Sequence, residues 1–416
     1  MNWREKAVFS AGKIFDPSFV PAPKPRLSGE NLRRRQLERF SEIYRRAFFT
    51  NAFYRRKYSE AGLGPDSVKN FPDIAAVPHL TKEEFPALAE SCRGPAVELA
   101  SGGTGGNREK TRLGAAYTLK RYEMLLGLLY SIGWKLGDKT IALHPEEYGF
   151  FRLAGEKIKK PGQAAFDFFQ QFVLYRIFHN RKNVLYGAEI FENGPDKKLL
   201  DSLCGAKLLL GRPDALLAAA FSNPPKAGKI ICVGGVLSGE AKKLLGRAFG
   251  CEVFNLYAST ELGYMALGAG GLARIDGENY LLGVEEGEII ATDFNNSAMP
   301  VIRYKTGDAG EIIGEEKEFI KINGRVSRFI TSAGRRVYEA ELIDYFLGFP
   351  EVRAFQISAG EGGIRLSLRP QNLGAKKAEQ IAGEFAARFS QEKVSVDLDT
   401  PFVKSPSGKF VYINYA

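Results

Sequence analysis

The sequence predicts an α/β protein: a large N-terminal domain with parallel-sheet βαβ units plus a small β subdomain, followed by a small α+β C-terminal domain. Three observations support this class. Beyond residue 205, short apolar runs alternate with helical patterns, which is typical of βαβ units. Residues 271–323 change to short segments of strand character separated by glycines. Residues 325–416 then alternate helix and strand patterns of their own.

The N-terminal part of the chain has helical patterns. Within residues 31–60, apolar side chains recur at spacings of three and four, at Leu37, Phe40, Tyr44 and Phe48. Thr81 and Glu84 have the spacing of a capping box that begins another helix, and residues 115–134 form a further apolar helical stretch. Residues 155–187 are rich in Phe and Tyr without a clear period, so we assign no element there.

Strands and helices alternate in the middle of the chain. We predict strands at Lys207–Leu210, Ile230–Val233 and Val253–Tyr257, and helices at Asp214–Phe221 and Ser238–Phe249. Connections of this kind imply a parallel sheet whose two faces are both covered.

The C-terminal unit has two helices and two strands. Glu339–Phe349 and residues 381–389 have helical spacing, whereas residues 364–368 and 394–398 alternate as strands. We place the boundary between the domains after residue 324. This divides the chain into a core domain of residues 1–324 and a C-terminal domain of residues 325–416.

The composition is that of an ordinary globular protein. Of 416 residues, 44% are hydrophobic and 25% are charged, which excludes collagen-like, largely disordered and disulfide-scaffold proteins. The four cysteines occur singly and no secretory signal is recognisable, so we expect reduced thiols in a cytoplasmic protein. The apolar run at 124–134 is shorter than the ~20 residues that span a bilayer, so we expect no transmembrane segment.

Histidine content and charge narrow the chemistry. The three histidines are far apart, and none lies in a zinc-binding pattern. The net charge of +10 is compatible with a nucleic-acid or membrane-surface partner, but the basic residues are spread and interleaved with acids. We therefore favour a solvated basic face that attracts anionic small molecules, without a specific nucleic-acid partner.

A glycine-rich segment follows the apolar residues 96–100. It consists of Ser101, Gly102, Gly103, Thr104, Gly105 and Gly106. Glycines allow backbone N–H groups to approach phosphate oxygens, and the two hydroxyls add donors. The segment is not a GxxxxGK[ST] loop, because no Lys-Ser/Thr pair follows it. A surface turn is the alternative interpretation.

A second motif lies at the end of a predicted parallel strand, where open α/β sheets bind their ligands. It reads Tyr257, Ala258, Ser259, Thr260, Glu261. The tyrosine can stack on a nucleobase, the threonine can donate to a phosphate, and the glutamate can hold Mg²⁺. A capped helix start is the structural alternative.

Three further residues complete the set of candidates. Asp308 follows a glycine turn, where it can accept both hydroxyls of a ribose or merely stabilise its own turn. Arg325 follows Gly324 at the predicted domain junction. Lys409 follows Gly408 near the C-terminus, where a tight turn would project its amine, although a solvated lysine is the commoner case.

In this order, the five segments resemble motifs of the ANL superfamily of AMP-forming (adenylate-forming) enzymes, which includes acyl-CoA ligases, adenylation domains and luciferases. Residues 53–62 and 77–84 look like the N-terminal helices of its phenylacetate–CoA ligase branch and the capsular-polysaccharide-type relatives of that branch. The resemblance extends from about residue 31 to the end of the chain. It implies the superfamily's two-domain fold, in which the C-terminal domain is a mobile lid.

The resemblance also implies roles for the nucleotide-binding residues. Ser101–Gly106 would hold the β- and γ-phosphates of ATP, and Gly234 and Gly235 would flank the adenine. Tyr257 would stack on the adenine, and Asp308 would hold the ribose hydroxyls. Arg325 would add a contact near the ribose, and Ala258 and Ser259 would complete the nucleotide site.

The implied catalytic residues are Lys409, Thr260 and Glu261. Thr260 would contact the α-phosphate, and Glu261 would bind Mg²⁺. Lys409 would bridge the attacking carboxylate and the α-phosphate. Because one anion attacks another in this reaction, its catalysis consists of positioning and charge neutralisation.

The implied activity is ATP-dependent activation of a carboxylic acid, aryl or acyl, to an acyl-adenylate, followed by transfer to the thiol of CoA. The sequence departs from the family at Gly105, where a second threonine is usual, and at Ser327 and Arg328, where the hinge normally has aspartates. The altered hinge keeps open transfer to an amine or a carrier protein. A non-catalytic nucleotide-binding or basic interaction protein remains the alternative of another class. The oligomeric state stays open, a homodimer included.

Overall fold

In a computed structural model, the described residues form an 11-stranded sheet, a four-stranded sheet and two two-stranded sheets, and helices pack against the two larger sheets. The structure describes residues 1–16, 19, 27–100, 110–146, 169–269, 271–360, 363–370, 374–390, 392–405 and 409–415. The helices are α1 Trp3–Phe15, α2 Gly29–Thr50, α3 Ala52–Glu60, α4 Phe71–Ala76, α5 Phe85–Ser91, α6 Ala115–Ser131, α7 Glu189–Asn193, α8 Lys197–Ser202, α9 Pro213–Ala220, α10 Gly239–Phe249, α11 Glu339–Phe346 and α12 Ala375–Phe389. A 3₁₀ turn covers Lys82–Glu84, and a π-helix covers Phe169–Phe178.

The strands follow the same chain order. They are β1 Val97–Ala100, β2 Lys110–Leu113, β3 Thr140–Pro145, β4 Arg181–Tyr186, β5 Leu208–Gly211, β6 Lys229–Val233, β7 Glu252–Ser259, β8 Gly263–Ala269, β9 Ala273–Ile275, β10 Tyr280–Glu285, β11 Glu288–Asp293, β12 Tyr304–Ile313, β13 Phe319–Arg325, β14 Phe329–Ser332, β15 Arg335–Tyr338, β16 Val352–Gly360, β17 Gly363–Pro370, β18 Val394–Asp397 and β19 Ile413–Tyr415.

The large sheet joins a parallel half and an antiparallel half. Its strand order is β10-β11-β12-β13-β9-β8-β7-β6-β5-β3-β4. The strands from β4 to β7 are parallel, and every pairing from β7 to β10 is antiparallel. The predicted α/β class is confirmed, and the glycine-punctuated strands of residues 271–323 continue the same sheet.

The predicted βαβ units lie in the parallel half. Strands β5, β6 and β7 are the three predicted strands, and helices α9 and α10 connect them. All eight residues of α9 are buried, because the helix lies between the sheet and the C-terminal part of the chain. Ser238 caps α10 by accepting a hydrogen bond from the backbone N–H of Ala241.

Two N-terminal predictions differ in detail. The helix predicted over residues 31–60 is two helices, because Asn51 ends α2 and its side chain accepts from the backbone N–H of Tyr54 to cap α3. The capping box of Thr81 and Glu84 is present, but it begins a short 3₁₀ turn before α5.

The C-terminal residues form a four-stranded sheet of order β18-β17-β16-β19, with α11 and α12 packed against it. The rings of Phe191 in α7 and Phe410 lie 4.5 Å apart, so this unit contacts the large sheet near the carboxyl end of β4. The carboxylate of Glu192 accepts from Arg369 and from the backbone N–H of Phe402. Arg353 donates to the carbonyls of Glu192 and Asn193. The predicted boundary after residue 324 stays a prediction.

Among the described residues, none of the helices is both long enough and apolar enough to cross a bilayer.

Candidate active site

Four of the predicted site segments, those that contain Gly234, Tyr257, Asp308 and Arg325, lie near the carboxyl ends of the parallel strands. Gly234 directly follows β6, and Thr260 and Glu261 directly follow β7. The carboxyl ends of parallel strands share one edge of a sheet, which is where α/β proteins bind ligands. Strands β12 and β13 bring Asp308 and Arg325 to the same place.

Tyr257, Asp308 and Arg325 form one hydrogen-bonded group. The hydroxyl of Tyr257 donates to Oδ2 of Asp308 at 2.9 Å, and Nε of Arg325 lies 3.2 Å from Oδ1 of Asp308. Asp308 and Arg325 are cross-strand partners, and Gly307 before them has a φ of +73° that favours glycine. Burial, and then the Asp308 carboxylate, raise the pKa of Tyr257 well above its ordinary value, so its phenol stays a donor.

Thr260 and Glu261 lie in a tight turn between the antiparallel strands β7 and β8. The hydroxyl of Ser259 accepts from the backbone N–H of Leu262 at 3.1 Å, which closes the turn. The alternative interpretation of this motif as a helix start is therefore wrong. Ala258, Ser259, Thr260 and Glu261 all keep part of their surface accessible, so the turn can meet a ligand.

Side chains that the sequence analysis did not identify hold this turn from below. Nη1 of Arg121 in α6 donates to the carbonyl of Thr260 at 3.1 Å. The hydroxyl of Tyr280 donates to the carbonyl of Leu262 at 2.7 Å, and the hydroxyl oxygen of Tyr117 lies 3.2 Å from that carbonyl. Buried donors of this kind fix the backbone that carries Thr260 and Glu261.

The same buried group contains an aspartate. Asp293 is fully buried and accepts from the hydroxyl of Tyr117 and the backbone N–H of Asn295. Burial raises the pKa of Asp293 to about 6, although its hydrogen bonds and Arg121 oppose this rise. A Cβ added to Gly263 would lie 2.9 Å from Nε of Arg121, so glycine is needed for the arginine to pack here. No sequence motif marks these residues, because they become neighbours only in the fold.

Arg212 and Asp214 also belong to the site and were missed. They follow β5, and Nη2 of Arg212 lies 2.6 Å from Oδ2 of Asp214. Arg212 also donates to the carbonyl of Gly234, which has a φ of +74°. A Cβ on Gly235 would approach Pro213 to 3.0 Å. Their position directly after a predicted parallel strand was the signal that could have identified them.

Lys409 is hydrogen-bonded to Ser405 in the C-terminal unit. The hydroxyl of Ser405 accepts from the backbone N–H of Lys409 at 3.0 Å, and the backbone N–H of Ser405 donates to the Lys409 carbonyl at 3.2 Å. Lys404 pairs with Phe410 in an isolated β-bridge. The contact between Phe410 and α7 therefore carries Lys409 to the large sheet.

Lys409 lies among the charges of the site. Burial, then Arg212 and Arg325, lower the pKa of Lys409 to about 8, whereas Asp214 and Glu261 oppose this shift. A neighbouring cation disfavours the charged form of an amine, so Arg212 and Arg325 act on Lys409 in the same direction as burial. Four charged groups therefore act on Lys409, namely Arg212, Arg325, Asp214 and Glu261.

The altered hinge residue Arg328 has an acidic neighbour. Glu339 at the start of α11 is buried, and burial raises its pKa, whereas Arg328, Arg325 and Arg212 oppose this rise in that order. Glu339 in turn opposes the lowering of the Arg328 pKa by burial. Arg328, at a position where the resembling family has an aspartate, is therefore compensated by the carboxylate of Glu339.

The predicted phosphate loop cannot be placed. Ser101, Gly102, Gly103, Thr104, Gly105 and Gly106 lie outside the described residues. The strands that flank them, β1 and β2, pair antiparallel with Ala100 opposite Lys110.

Comparison with solved structures finds similar folds. 2-Hydroxyisobutyryl-CoA ligase in the postadenylation state, in complex with R3-HIB-AMP, has a TM-score of 0.69 and 14% sequence identity over 96% of this chain and 93% of that chain. The same enzyme with 2-HIB-AMP and CoA in the thioesterification state has a TM-score of 0.51 and 14% identity, over 95% and 91%. O-succinylbenzoate coenzyme A synthetase from Bacillus subtilis, in complex with AMP, has a TM-score of 0.50 and 18% identity, over 77% and 69%. No protein-family model and no curated protein matches the sequence.

These structural neighbours are AMP-forming ligases of the ANL superfamily, and the chain has their fold. The resemblance inferred from the five sequence segments is confirmed at the level of the fold. The phenylacetate–CoA ligase branch, and the role of each site residue, stay predictions.

Proposed function

We propose that the protein is an AMP-forming acyl-CoA ligase: it activates a carboxylic acid with ATP to an acyl-adenylate, releases pyrophosphate, and transfers the acyl group to CoA. The observation that supports the proposal is that the charges of Glu261 and of Arg325, which pairs with Asp308 beside Tyr257, act on Lys409.

The chemistry requires the neutralisation of negative charge. A carboxylate oxygen attacks the α-phosphorus of ATP, the acyl–phosphate bond forms, and the bond to the β-phosphate breaks as pyrophosphate leaves. Arg212 and Arg325 both lower the pKa of Lys409, so these three cations already repel one another before a ligand binds. A bound polyphosphate would relieve the repulsion among these cations. It would also be stabilised by preorganised hydrogen-bond donors.

The nucleotide-binding residues fit their proposed roles. Asp308 has acceptor capacity for ribose hydroxyls while Tyr257 and Arg325 hold its orientation. Thr260 is partly accessible on a turn that Arg121 fixes. Mg²⁺ is usually held by one or two carboxylates together with substrate phosphates, and Glu261 would supply such a carboxylate.

CoA is the proposed acceptor, and an aryl or acyl acid is the proposed substrate. One structural neighbour is named as a CoA ligase with CoA bound in its thioesterification state. At nearly equal coverage the chain has the higher TM-score with the postadenylation state of that enzyme. In the second step the thiol would attack the acyl carbon and AMP would leave.

Acid-dependent exchange between ATP and labelled pyrophosphate tests the adenylation step. We expect exchange with at least one class in a panel of aromatic, fatty and amino acids, and it should require Mg²⁺. Nucleotide binding without exchange for any acid would contradict the proposal and favour the non-catalytic alternative.

Release of AMP with different acceptors tests the second step. The altered hinge, in which Arg328 faces Glu339, favours a second candidate that transfers the acyl group to an amine or a carrier protein. CoA-dependent AMP release supports the ligase. AMP release that needs an amine and ignores CoA would replace it by this second candidate.

A further inference from the structure

A second basic site lies behind the β7–β8 turn. Arg181, at the start of β4, is surrounded by aromatic and imidazole side chains: its guanidinium lies 4.7 Å from the ring centroid of Tyr175, and Nη2 lies 2.7 Å from Nε2 of His144. Its Nε donates to the side-chain carbonyl of Asn183 at 3.0 Å. We call Arg181, Tyr175, Tyr264 and His144 the arginine cluster.

Arg181 has no acidic partner in the part of the chain that the structure describes. No described Asp or Glu forms an ion pair with it, and burial lowers its pKa while Tyr175 and Tyr264 oppose this. Burial, and then Arg181, lower the pKa of His144 to about 4, so this imidazole is neutral at pH 7 and adds no charge. A desolvated cation is costly unless an anion compensates it.

The arginine cluster is partly accessible. Its four members all keep part of their surface accessible, whereas Trp134 and His179 behind them are only 2% and 4% exposed. The ring of Trp134 packs against that of His179 at 5.1 Å, which forms an apolar wall. Burial raises the pKa of Tyr264 above its ordinary value, so its hydroxyl is a donor at neutral pH.

The cluster is next to the reaction site but separate from it. Tyr264 lies three residues after Glu261, and the guanidinium of Arg121 lies 5.8 Å from the Tyr264 ring while it donates to the carbonyl of Thr260. The charges that shift the pKa of Lys409 do not include Arg181. A ligand that reaches both places therefore needs two anionic ends.

We propose that the acid substrate is a dicarboxylic acid, one carboxylate of which reacts at Lys409 while Arg181, assisted by the hydroxyls of Tyr175 and Tyr264, binds the other. This inference rests on the proposed function. A guanidinium matches a carboxylate in a planar, two-point contact, which favours a carboxylate over other anions here. The anionic partner that the described residues do not provide would thus be supplied by the substrate.

Pyrophosphate exchange with matched pairs of acids tests the inference. Adipate is compared with hexanoate, and terephthalate with 4-methylbenzoate. We expect the native protein to prefer at least one diacid over its matched monoacid by roughly 10- to 100-fold in kcat/KM. This range corresponds to the loss of one hydrogen bond to a charged group. Arg181→Met should remove that preference mainly through KM, and Arg181→Lys should restore part of it. Arg176→Met, at an exposed arginine next to Tyr175 in the π-helix, should leave the ratio unchanged.

Several results would overturn the inference. Exchange with monoacids and no preference for either diacid would contradict it and leave the proposed function standing. An equal loss for both members of a pair in Arg181→Met would show that the arginine only supports the fold. If no acid gives exchange, the proposed function fails. Calorimetric binding of adipate or terephthalate then decides: binding that Arg181→Met abolishes supports the arginine site, and no binding contradicts it.

Discussion

The hydroxyl of Tyr257 donates to the carboxylate of Asp308 at 2.9 Å although three strands separate β7 from β12 in the sheet order. Neighbouring strands lie about 4.8 Å apart, so a flat sheet would hold these residues roughly 19 Å apart. The antiparallel half must therefore curl until its far strands return to β7. The curl places the predicted ribose acceptor, Asp308, beside the turn that carries Glu261.

Replacement of Asp308 tests its role in nucleotide binding. Asp308→Asn keeps the size of the side chain but removes the charge that Arg325 pairs with and half of its acceptor capacity. We expect the Kd for AMP to rise roughly 10- to 100-fold, measured by calorimetry. Glu311→Gln, at an exposed acid on the same strand, is the control. Equal Kd values for Asp308→Asn and the native protein would exclude Asp308 from the nucleotide site.

Replacement of Glu261 tests the proposed metal ligand. Glu261→Gln removes the carboxylate while the turn stays held by Arg121 and Ser259. We expect the Mg²⁺ concentration for half-maximal exchange to rise about 10-fold or more. Glu252→Gln, at the exposed start of the same strand, should show native Mg²⁺ dependence. A Mg²⁺ titration of Glu261→Gln that overlays the native one would refute this assignment.

The pH dependence of the reaction should report Lys409. Its pKa is lowered to about 8 by burial and by Arg212 and Arg325, so its charged form is lost in the free enzyme as the pH rises through about 8. We expect kcat/KM for ATP to fall above that pH, because this parameter follows the free enzyme. Lys409→Arg stays charged and should lack this decline. Identical profiles for both proteins between pH 7 and about 9.5 would assign the titration to another group.

Docking of the C-terminal unit should depend on Glu192. Its carboxylate accepts from Arg369 and from the backbone N–H of Phe402, both in the C-terminal unit. Glu192→Ala leaves the Arg369 guanidinium without this acceptor, so we expect a several-fold loss of adenylation and faster proteolysis of the C-terminal unit. Glu189→Ala, at an exposed acid of the same helix, is the control. Native exchange and native proteolysis in Glu192→Ala would show that this contact does not control docking.

The sequence allowed the prediction of those site residues that lie in continuous motifs. Tyr257, Glu261, Asp308 and Lys409 each stand beside a glycine or at a strand end, where local chemistry identifies them. Arg121 could not be predicted, because it lies in an apolar helix and becomes a neighbour of Thr260 only through packing of α6 beneath the turn.

The parts of the fold that were missed have similar causes. Strands β3 and β4 belong to the parallel half: β3 is almost wholly buried and lacks the alternation of a half-exposed strand, and β4 is an edge strand that begins with the polar residues Arg181, Lys182 and Asn183. Asn51 ends α2 by capping the next helix, but the apolar period continues across it and predicts a single helix. The spacing of apolar residues indicates which face of a helix is buried, but it does not indicate where the helix ends.

Acyl-adenylate formation by Lys409→Ala in a single turnover tests the central claim most directly. The ammonium of Lys409 is the group proposed to bridge the carboxylate and the α-phosphate, so its removal should slow adenylate formation by roughly 10²–10³ while AMP still binds. Lys404→Ala, at an exposed lysine five residues earlier, should react at the native rate. A native rate of adenylate formation in Lys409→Ala would contradict the proposed mechanism.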